Sequence, residues 1–434
     1  SVLSASFWLT FSALLIIAFG SFLLQREKSR LKQLVIIQLL FSILFIPLSI
    51  FIFGQIHSAS MAANLIAVPL VSFIIVPLNF MLLLLFWLPG DWLQMLYGLL
   101  DSLISLLIGY LQWLLDHGLQ AISIPEIAPW KLMLVLLFSV ILLLPRGLIA
   151  KSILLLVLPP LVFWQPRELS ENELEVTVLD VGLGTSVVIH TQNYSLVYDF
   201  GAGNKTGYSL GEWVVLPYLL DKGIDRPDRI VISHVDQDHS GGYLALQDDF
   251  AGVPVYSGTP AELKQRIPGH GLVLNCHTTQ SWLWDGVSFE FVTTQSILSQ
   301  STLTESGNNR SCVLKLTLGS KSILLAGDIE LRQEQRLVQN QAESLAADIL
   351  LAAHHGSSTS SSEGFIAAVG ADHVIFTTGF LNRWGFPHAS VVERFLAAGS
   401  ERYQTDRSGA VQIKCSERDC RLTSYRLQHP RIWY

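Results

Sequence analysis

Charge is scarce in this chain. Asp, Glu, Lys and Arg make up 15% of its 434 residues and apolar residues 50%, against roughly 25% charged residues in ordinary soluble domains. That shortage excludes a conventional water-soluble protein and points to a bilayer. A basic excess is missing too, since the formal net charge is −7. This argues against a large duplex-binding groove, which leaves a Lys/Arg footprint. The chain opens Ser1-Val2-Leu3 without Met, and neither a basic segment nor a small-residue cleavage site precedes the apolar run around Phe7. It is therefore expected to begin inside a longer membrane protein, just before a helix. No internal repeat and no low-complexity tract stands out. Cysteine is limited to four residues. Cys276 and Cys312 stand alone in strand-like stretches and read as separate buried thiols. Cys415 and Cys420 flank Ser416-Glu417-Arg418-Asp419 between two alternating segments, Ala410–Lys414 and Arg421–Arg426. That pattern is a hairpin turn, in which the pair either closes a disulfide in an oxidising compartment or stays as two thiols.

What charge there is lies unevenly. Residues 1–164 carry seven Lys/Arg and five Asp/Glu; residues 165–434 carry twenty-one and thirty. A membrane half of net charge +2 thus precedes an acidic, water-soluble half of −9. A spanning helix needs roughly 20 apolar residues. Phe7–Leu24, Leu34–Ile56, Met61–Leu88, Trp130–Leu144 and Leu148–Trp164 are candidates, the last two short and meeting at Pro145-Arg146-Gly147. Pro47, Pro69 and Pro77 predict kinks. Trp92–Asp116 differs. Leu93, Leu96, Leu99, Leu100, Leu103, Leu107, Leu111 and Leu114 recur at helical spacing opposite Gln94, Gly98, Asp101, Ser105, Gly109, Gln112 and Asp116. It is either an interfacial helix, a close helix–helix seam, or one wall of an aqueous path.

Arg26, Lys28, Arg30 and Lys32 place the first loop on the cytoplasmic side. If Trp92–Asp116 crosses, six spans follow, the Arg146/Lys151 loop is cytoplasmic too, and the acidic half lies outside. If it only lies on the surface, the parity reverses.

Pro166–Asn172 reads as a polar linker. Strands are then predicted at Glu175–Leu179, Ser186–His190, Ser195–Tyr198, Arg229–Ile232, Phe289–Val292, Val313–Leu318, Ser322–Leu325, Asp348–Ala352 and His373–Phe376. Helices are predicted at Tyr243–Gln247, Glu330–Asn340, Ser362–Val369 and Ser390–Ala398. Strands followed by helices, twice over, suggest a layered α/β sandwich. The chemistry sits where strands end. Arg229–Ile232 runs into Ser233-His234-Val235-Asp236-Gln237-Asp238-His239, followed by Gly241-Gly242. Four metal-capable side chains in six residues can face two ways from one loop and so serve two adjacent cations. Ser322–Leu325 leads to Asp328, and Asp348–Ala352 leads to His354-His355. Asp328 alone reads equally as a helix cap, and His354-His355 alone as a polar loop; three strands ending in ligand types make a joint signal.

Those residues, with Val178–Gly182, Tyr198–Gly203, Asn308-Asn309-Arg310-Ser311, Leu325–Glu330, Asn382–His388, Thr405–Ala410 and Asn64–Leu70 in the membrane half, resemble the metallo-β-lactamase superfamily and, within it, the ComEC-type DNA-internalisation proteins of natural competence. The resemblance covers essentially the whole chain. It implies a polytopic helical bundle over 1–164, a linker over 165–174, and an αββα metallo-β-lactamase fold over 175–434. It implies two divalent cations. The first takes His234 and Asp236, completed by Asn308, Asn309 or water; the second takes Asp238, His239 and His354, with His355 as the alternative to His354; Asp328 bridges them, and Asp199 orients a ligand from behind. Asp238, His355 and His388 are the expected catalytic set, with His355 or His388 contacting the phosphate or protonating the leaving oxygen. Arg310, Arg383 and Arg407 are candidates for phosphate contacts. Asp236 stands where the superfamily's usual loop has a second His, and Asn308-Asn309 where its third His falls. Oxygen in place of imidazole favours Mn²⁺ or Mg²⁺ at the first site, with Zn²⁺ as the alternative. Gly182-Leu183-Gly184 replaces the branch's Gly-Gln-Gly.

The implied function is DNA uptake in natural transformation. One strand passes a channel built partly from the membrane half, and the domain on the external or periplasmic side of a bacterial inner membrane hydrolyses the other. The implied partners are DNA, the bilayer, the upstream part of the same protein, a homo-oligomer completing the pore, and the DNA-receptor and uptake machinery. Two other readings stand beside it: a hydrolase of a small ester, amide or nucleotide, and a metal-stabilised module that only guides DNA.

Overall fold

The computed structural model describes residues 5–25, 27–53, 55–87, 90, 92–117, 121–123, 129–143, 169–269, 271–278, 281–292 and 306–428. Apart from Asp221–Gly223, the chain divides into two compact units between residues 166 and 167. In the first unit, helices run over Ala5–Leu23, Arg30–Leu44, Ile46–Phe53, Ser60–Leu70, Val76–Leu85, Trp92–Asp116 and Pro129–Leu143. Three stretches, Val35–Ile52, Ser60–Leu85 and Trp92–Asp116, are long and apolar enough to cross a membrane. The expected span Leu148–Trp164 and the Pro145–Gly147 break lie outside the described residues.

The prolines act as their chemistry requires. The helix after Arg30–Leu44 restarts at Ile46, one residue before Pro47. Between Pro69 and Pro77 the chain forms a π-helical turn, Val71–Ile75, in which the Val76 N–H bonds to the Val71 carbonyl. Each proline lacks the N–H that would donate in the i→i−4 ladder, and a π-turn is one way a helix accommodates such a break. The leucine stripe of Trp92–Asp116 has a partner: Leu93, Leu96, Leu100, Leu103 and Leu107 pack with Ile75, Leu78 and Leu82. Tyr110 Oη donates to the Ala62 carbonyl at 2.9 Å. The seam reading of this helix therefore holds for its apolar face, while Gln94, Asp101, Ser105, Gln112 and Asp116 remain exposed. Gln55–His57 (β1) pairs antiparallel with Ala121–Ser123 (β2). A cavity of about 470 Å³ nearby is lined by apolar side chains, Phe41, Phe45 and Ile56 among them, along with Ser42, Ser49, Ser58, Ser60 and Asn64.

The second unit is a four-layer α/β sandwich. Its strands are Glu173–Val178 (β3), Val187–His190 (β4), Ser195–Tyr198 (β5), Arg229–Ile232 (β6), Val255–Ser257 (β7), Val273–Asn275 (β8), Trp282–Trp284 (β9), Val287–Phe291 (β10), Leu314–Leu318 (β11), Lys321–Leu325 (β12), Ile349–Leu351 (β13), His373–Phe376 (β14), Glu401–Gln404 (β15), Val411–Ser416 (β16) and Cys420–Ser424 (β17). One sheet has the order β17-β16-β3-β4-β5-β6-β7-β8, the other β15-β14-β13-β12-β11-β10-β9. The first is antiparallel up to β5 and parallel from β5 to β8. The second is parallel from β15 to β12 and antiparallel beyond.

Strand alternation sorts the core. Val231, Ile323, Leu325 and Leu351 point between the sheets with Phe289 and Leu316. Their neighbours Ile230 and Ile232 face helices on one outer side, and Leu324 and Leu350 face helices Leu331–Leu345, Glu363–Val369 and Ala389–Ala397 on the other. Both faces of the parallel strands are buried, which is why they read as unbroken apolar runs. All nine predicted strands are present within about two residues of their expected ends. Helix Leu331–Leu345 outruns its predicted end, and non-helical Gln341 sits where the prediction stopped at Asn340.

Cys276 and Cys312 are not separate thiols: they form a disulfide across 36 residues of sequence. Cys276 follows β8 and Cys312 precedes β11, so the bond ties one sheet to the other; only tertiary packing brings the two positions together. Cys415–Cys420 is also bonded.

Gly241-Gly242 serves close approach rather than a turn. A Cβ at Gly242 would overlap the Phe200 carbonyl oxygen and crowd the Gly211 amide. Gly242→Ala is expected to destabilise the protein by about 1–3 kcal/mol; a thermal midpoint equal to the parent's would refute the contact.

Candidate metal centre

Five strand ends from two sheets meet at one place. β5 delivers Asp199, β6 delivers Ser233 to His239, β12 delivers Asp328, β13 delivers His354-His355, and β14 delivers Thr377. Asp199, His354 and His355 take positive φ of 58°, 51° and 55°, a conformation uncommon outside glycine and concentrated at functional sites.

The hydrogen bonds behind the histidines fix which nitrogen faces inward. His239 Nδ1 lies 2.7 Å from Asp199 Oδ2. Asp199 is itself held by the Ser233 N–H at 2.7 Å and the Ser233 hydroxyl at 2.6 Å. His355 Nδ1 meets the Thr377 hydroxyl at 2.8 Å, and Thr377 in turn meets Thr185 at 3.2 Å. His234 Nδ1 lies within 3.3 Å of the Ser233 and Ser311 hydroxyls, and His354 Nδ1 lies 3.3 Å from Thr359. All four Nε2 atoms are left for the interior. From Asp328 Oδ2 they lie at 3.1 Å (His239), 3.5 Å (His355) and 3.8 Å (His354). His234 Nε2 is 3.5 Å from Asp236 Oδ2. Two sets have ligand atoms all within 4.8 Å: His234, His239 and Asp328; and Asp238, His239 and His355.

These donors fit divalent cations. His234 Nε2 is buried without a hydrogen-bond partner, a cost that a Lewis acid would remove. Imidazoles backed by carboxylate or hydroxyl groups are typical metal ligands. The protonation pattern agrees. Burial alone would lower His239, but Asp328, Asp199 and Asp238 outweigh it and hold the ring well above its ordinary value. His355 is pushed up to about 9 against its own burial by Asp328 and Asp238. Burial would raise Asp328, yet His239 and His355 keep it well below the carboxylate range, and His239 and His355 do the same for Asp238. The His234 ring, whose Nε2 lies 3.5 Å from Asp236 Oδ2, lowers Asp236. Burial lowers His354. Protons thus occupy the place that metal charge suits.

Of the candidates for the second set, His355 is buried beside Asp238 and His239, while His354 stands more open at its edge. Asn309 is committed elsewhere: its Oδ1 accepts the Glu330 N–H at 3.0 Å. Asn308 lies in the same short turn, beside Gly307, which faces Asp236. Arg310 pairs with Glu262 at 2.7 Å. Arg383 stacks over Trp384 at 4.7 Å and borders an open cleft of about 560 Å³, with Asp238, His354 and His355 on its wall. His388 is not on that wall; its N–H donates to the Gly356 carbonyl and its ring packs against Phe386. Sequence reasoning passed over Ser233, Ser311 and Thr377 as site residues. Thr377 carried the same signal as the ligands, being the first polar residue after a strand.

Ser311 accepts the Asp328 N–H at 3.1 Å while touching His234. Ser311→Ala should cost about 1–3 kcal/mol, the penalty of an orphaned buried N–H, and lower metal affinity roughly 10–100-fold; equilibrium dialysis showing parent affinity would refute this role. Both raised histidines also bind protons that metal must displace. In the metal-free protein their stabilisation is complete below about pH 6.5 and fades as pH rises through about 9 for His355. Metal binding at pH 7 should therefore release protons. Titration calorimetry checks this: the same heat in buffers of different ionisation enthalpy would contradict it.

Residues 1–149 match the family described as Competence protein, and residues 179–376 match the Metallo-beta-lactamase superfamily. The chain is 32% identical over 374 residues to "Competence protein ComA" of Neisseria gonorrhoeae, covering 86% of the chain and 50% of that protein. It is 29% identical to "Recombination protein 2" of Haemophilus influenzae, covering 95% and 55%, and 28% identical to "ComE operon protein 3" of Bacillus subtilis, covering 95% and 56%. The chain spans about half the length of these relatives.

Proposed function

We propose, from the premise that this chain joins a Competence segment to a metallo-β-lactamase-superfamily domain and is therefore of the ComEC type, that it takes up DNA and hydrolyses phosphodiester bonds in the strand that does not enter. The observation that carries this reading is the convergence of four imidazole Nε2 atoms on Asp328, Asp236 and Asp238. His234, Asp236 and Asp328 would hold one divalent cation, and Asp238, His239, Asp328 and either His354 or His355 another. Bound there, such cations supply Lewis acidity at a phosphoryl oxygen and lower the pKa of water. The chain's own groups do the rest. Asp199 and Thr377 keep His239 and His355 in one tautomer. Asp328, buried and anionic, holds the imidazoles together. Arg383 at the cleft wall offers a phosphate contact, whereas Arg310 is already paired.

Supports for the membrane role are the helices long enough to cross and the exposed polar face of Trp92–Asp116. The domain is proposed to lie on the external side. Two disulfides suit an oxidising compartment, and the basic first loop suits the cytoplasm. The domain boundaries are proposed at 164 and 175.

The test uses the full chain in lipid nanodiscs with Mn²⁺ and end-labelled DNA. Cleavage is expected, Asp199→Asn should lower it roughly 10–100-fold, and Asp328→Asn should abolish it. Folded protein that cleaves no DNA with Mn²⁺, Mg²⁺ or Zn²⁺, yet hydrolyses esters or lactams, would replace this reading with that of a small-substrate hydrolase.

A further inference from the structure

Beside the cleft, the loop from Gly379 to Pro387 exposes what a soluble surface normally hides. Phe380 is 79% exposed, Leu381 85% and Trp384 54%. The loop is not slack. The Asn382 amide donates to the Gly379 carbonyl at 3.1 Å and the Phe386 carbonyl at 2.7 Å, and its oxygen accepts the Phe386 N–H at 2.8 Å. Gly379 is pressed so closely against Leu183 that a Cβ would lie 2.6 Å from its amide nitrogen. The aromatic rings are thus presented by a braced turn.

Two grooves flank this ridge. One is the cleft bearing Asp238, His354 and His355, walled by Arg383 and Trp384. The other, about 630 Å³, is bordered by Leu381, Arg402 and Arg407, with Glu393 and Asp406 also on its rim. Phe386 belongs to both. We propose that the 379–387 loop is a base-stacking ridge: unpaired bases stack on Trp384 and Phe380, Arg383 and the Arg402/Arg407 pair hold backbone phosphates, and the cleft thereby selects single strands over duplex. This rests on the reading of the cleft as a phosphodiester site.

The physical case is direct. Every base has a π-face, and stacking on exposed aromatic rings is sequence-tolerant. In a duplex those faces are already stacked, so the ridge offers them nothing. A net charge of −9 over residues 165–434 disfavours a duplex, whereas a few arginines beside aromatic rings suffice for one strand. Arg383 lies against Trp384, and Arg402 and Arg407 border the same loop, so groups able to hold backbone phosphates stand beside the exposed rings.

The experiment measures fluorescence anisotropy of labelled oligothymidylate and of a duplex, with the full chain in nanodiscs and EDTA present so that nothing is cleaved. Single strand is expected to bind at least about tenfold tighter than duplex. Trp384→Ala and Trp384→Leu should each weaken it about tenfold, and Trp384→Phe should keep most of it. Long-wave irradiation of a 5-iodouracil oligonucleotide should crosslink to Trp384 or Phe380. Unchanged affinity in Trp384→Ala overturns the proposal and leaves lipid contact as the use of these rings. Crosslinks confined to residues 1–166 overturn it as well. Because binding is read without hydrolysis, loss of the ridge leaves the hydrolase reading standing, and absence of cleavage leaves the ridge standing.

Discussion

Asp328 is a carboxylate almost without access to water, and it stays ionised because positive charge is packed around it. A lone buried carboxylate would take up a proton instead. Here three imidazole nitrogens lie within 3.8 Å of one of its oxygens, and each is steadied from behind by a hydroxyl or carboxylate. The arrangement asks much of the fold. Its parts come from strands in two different sheets, so the sheets cannot slide relative to each other without breaking it. Ser311 and the Cys276–Cys312 bond both work at that junction: one hydroxyl touches ligands from β6 and from the turn after β12, and one covalent link joins the edge beyond β8 to the start of β11.

The αββα plan makes such a junction available. Side chains at the open ends of parallel strands are positioned by the backbone yet freed from the core, which is why ligands gather at strand termini in open α/β sheets. The parallel halves of the two sheets supply Asp199, the β6 loop, Asp328, His354-His355 and Thr377. The antiparallel halves contribute packing, with Phe289, Leu316 and Val176 filling the space between. Chemistry and stability are thus divided between two parts of each sheet.

The membrane unit obeys a different constraint. With no water to satisfy backbone groups, each proline must be accommodated locally, and a π-turn lies at Val71–Ile75 between Pro69 and Pro77. The Trp92–Asp116 helix spends its leucines on that neighbour and leaves its polar side uncovered by the described residues. A polar face on a helix of spanning length suits contact with water or with further polar surface.

Much of this was legible in order along the chain, because period-two and unbroken apolar runs report strand burial directly. β5, β6 and β14 have the bounds their residues predicted, and the ligand types follow their strands as expected. The three-residue strands β7, β8 and β9 were not predicted, whereas β13, equally short, was legible within the longer apolar run Ile349–Ala353. Spacing could nominate His234, Asp236, Asp238, His239, Asp328 and His354-His355 as ligands. It put His354 ahead of His355 for the second set, whereas the left-handed turn buries His355 beside Asp238 and His239 and leaves His354 more open, a difference that spacing between adjacent residues cannot carry. Nor could it show that Asn309 serves Glu330, that Arg310 pairs with Glu262, that the His388 ring packs against Phe386, or that Cys276 meets Cys312. Those outcomes depend on contacts between segments dozens of residues apart. Local pattern fixes what each segment is, but which side chains share a site is decided when the two sheets pack face to face.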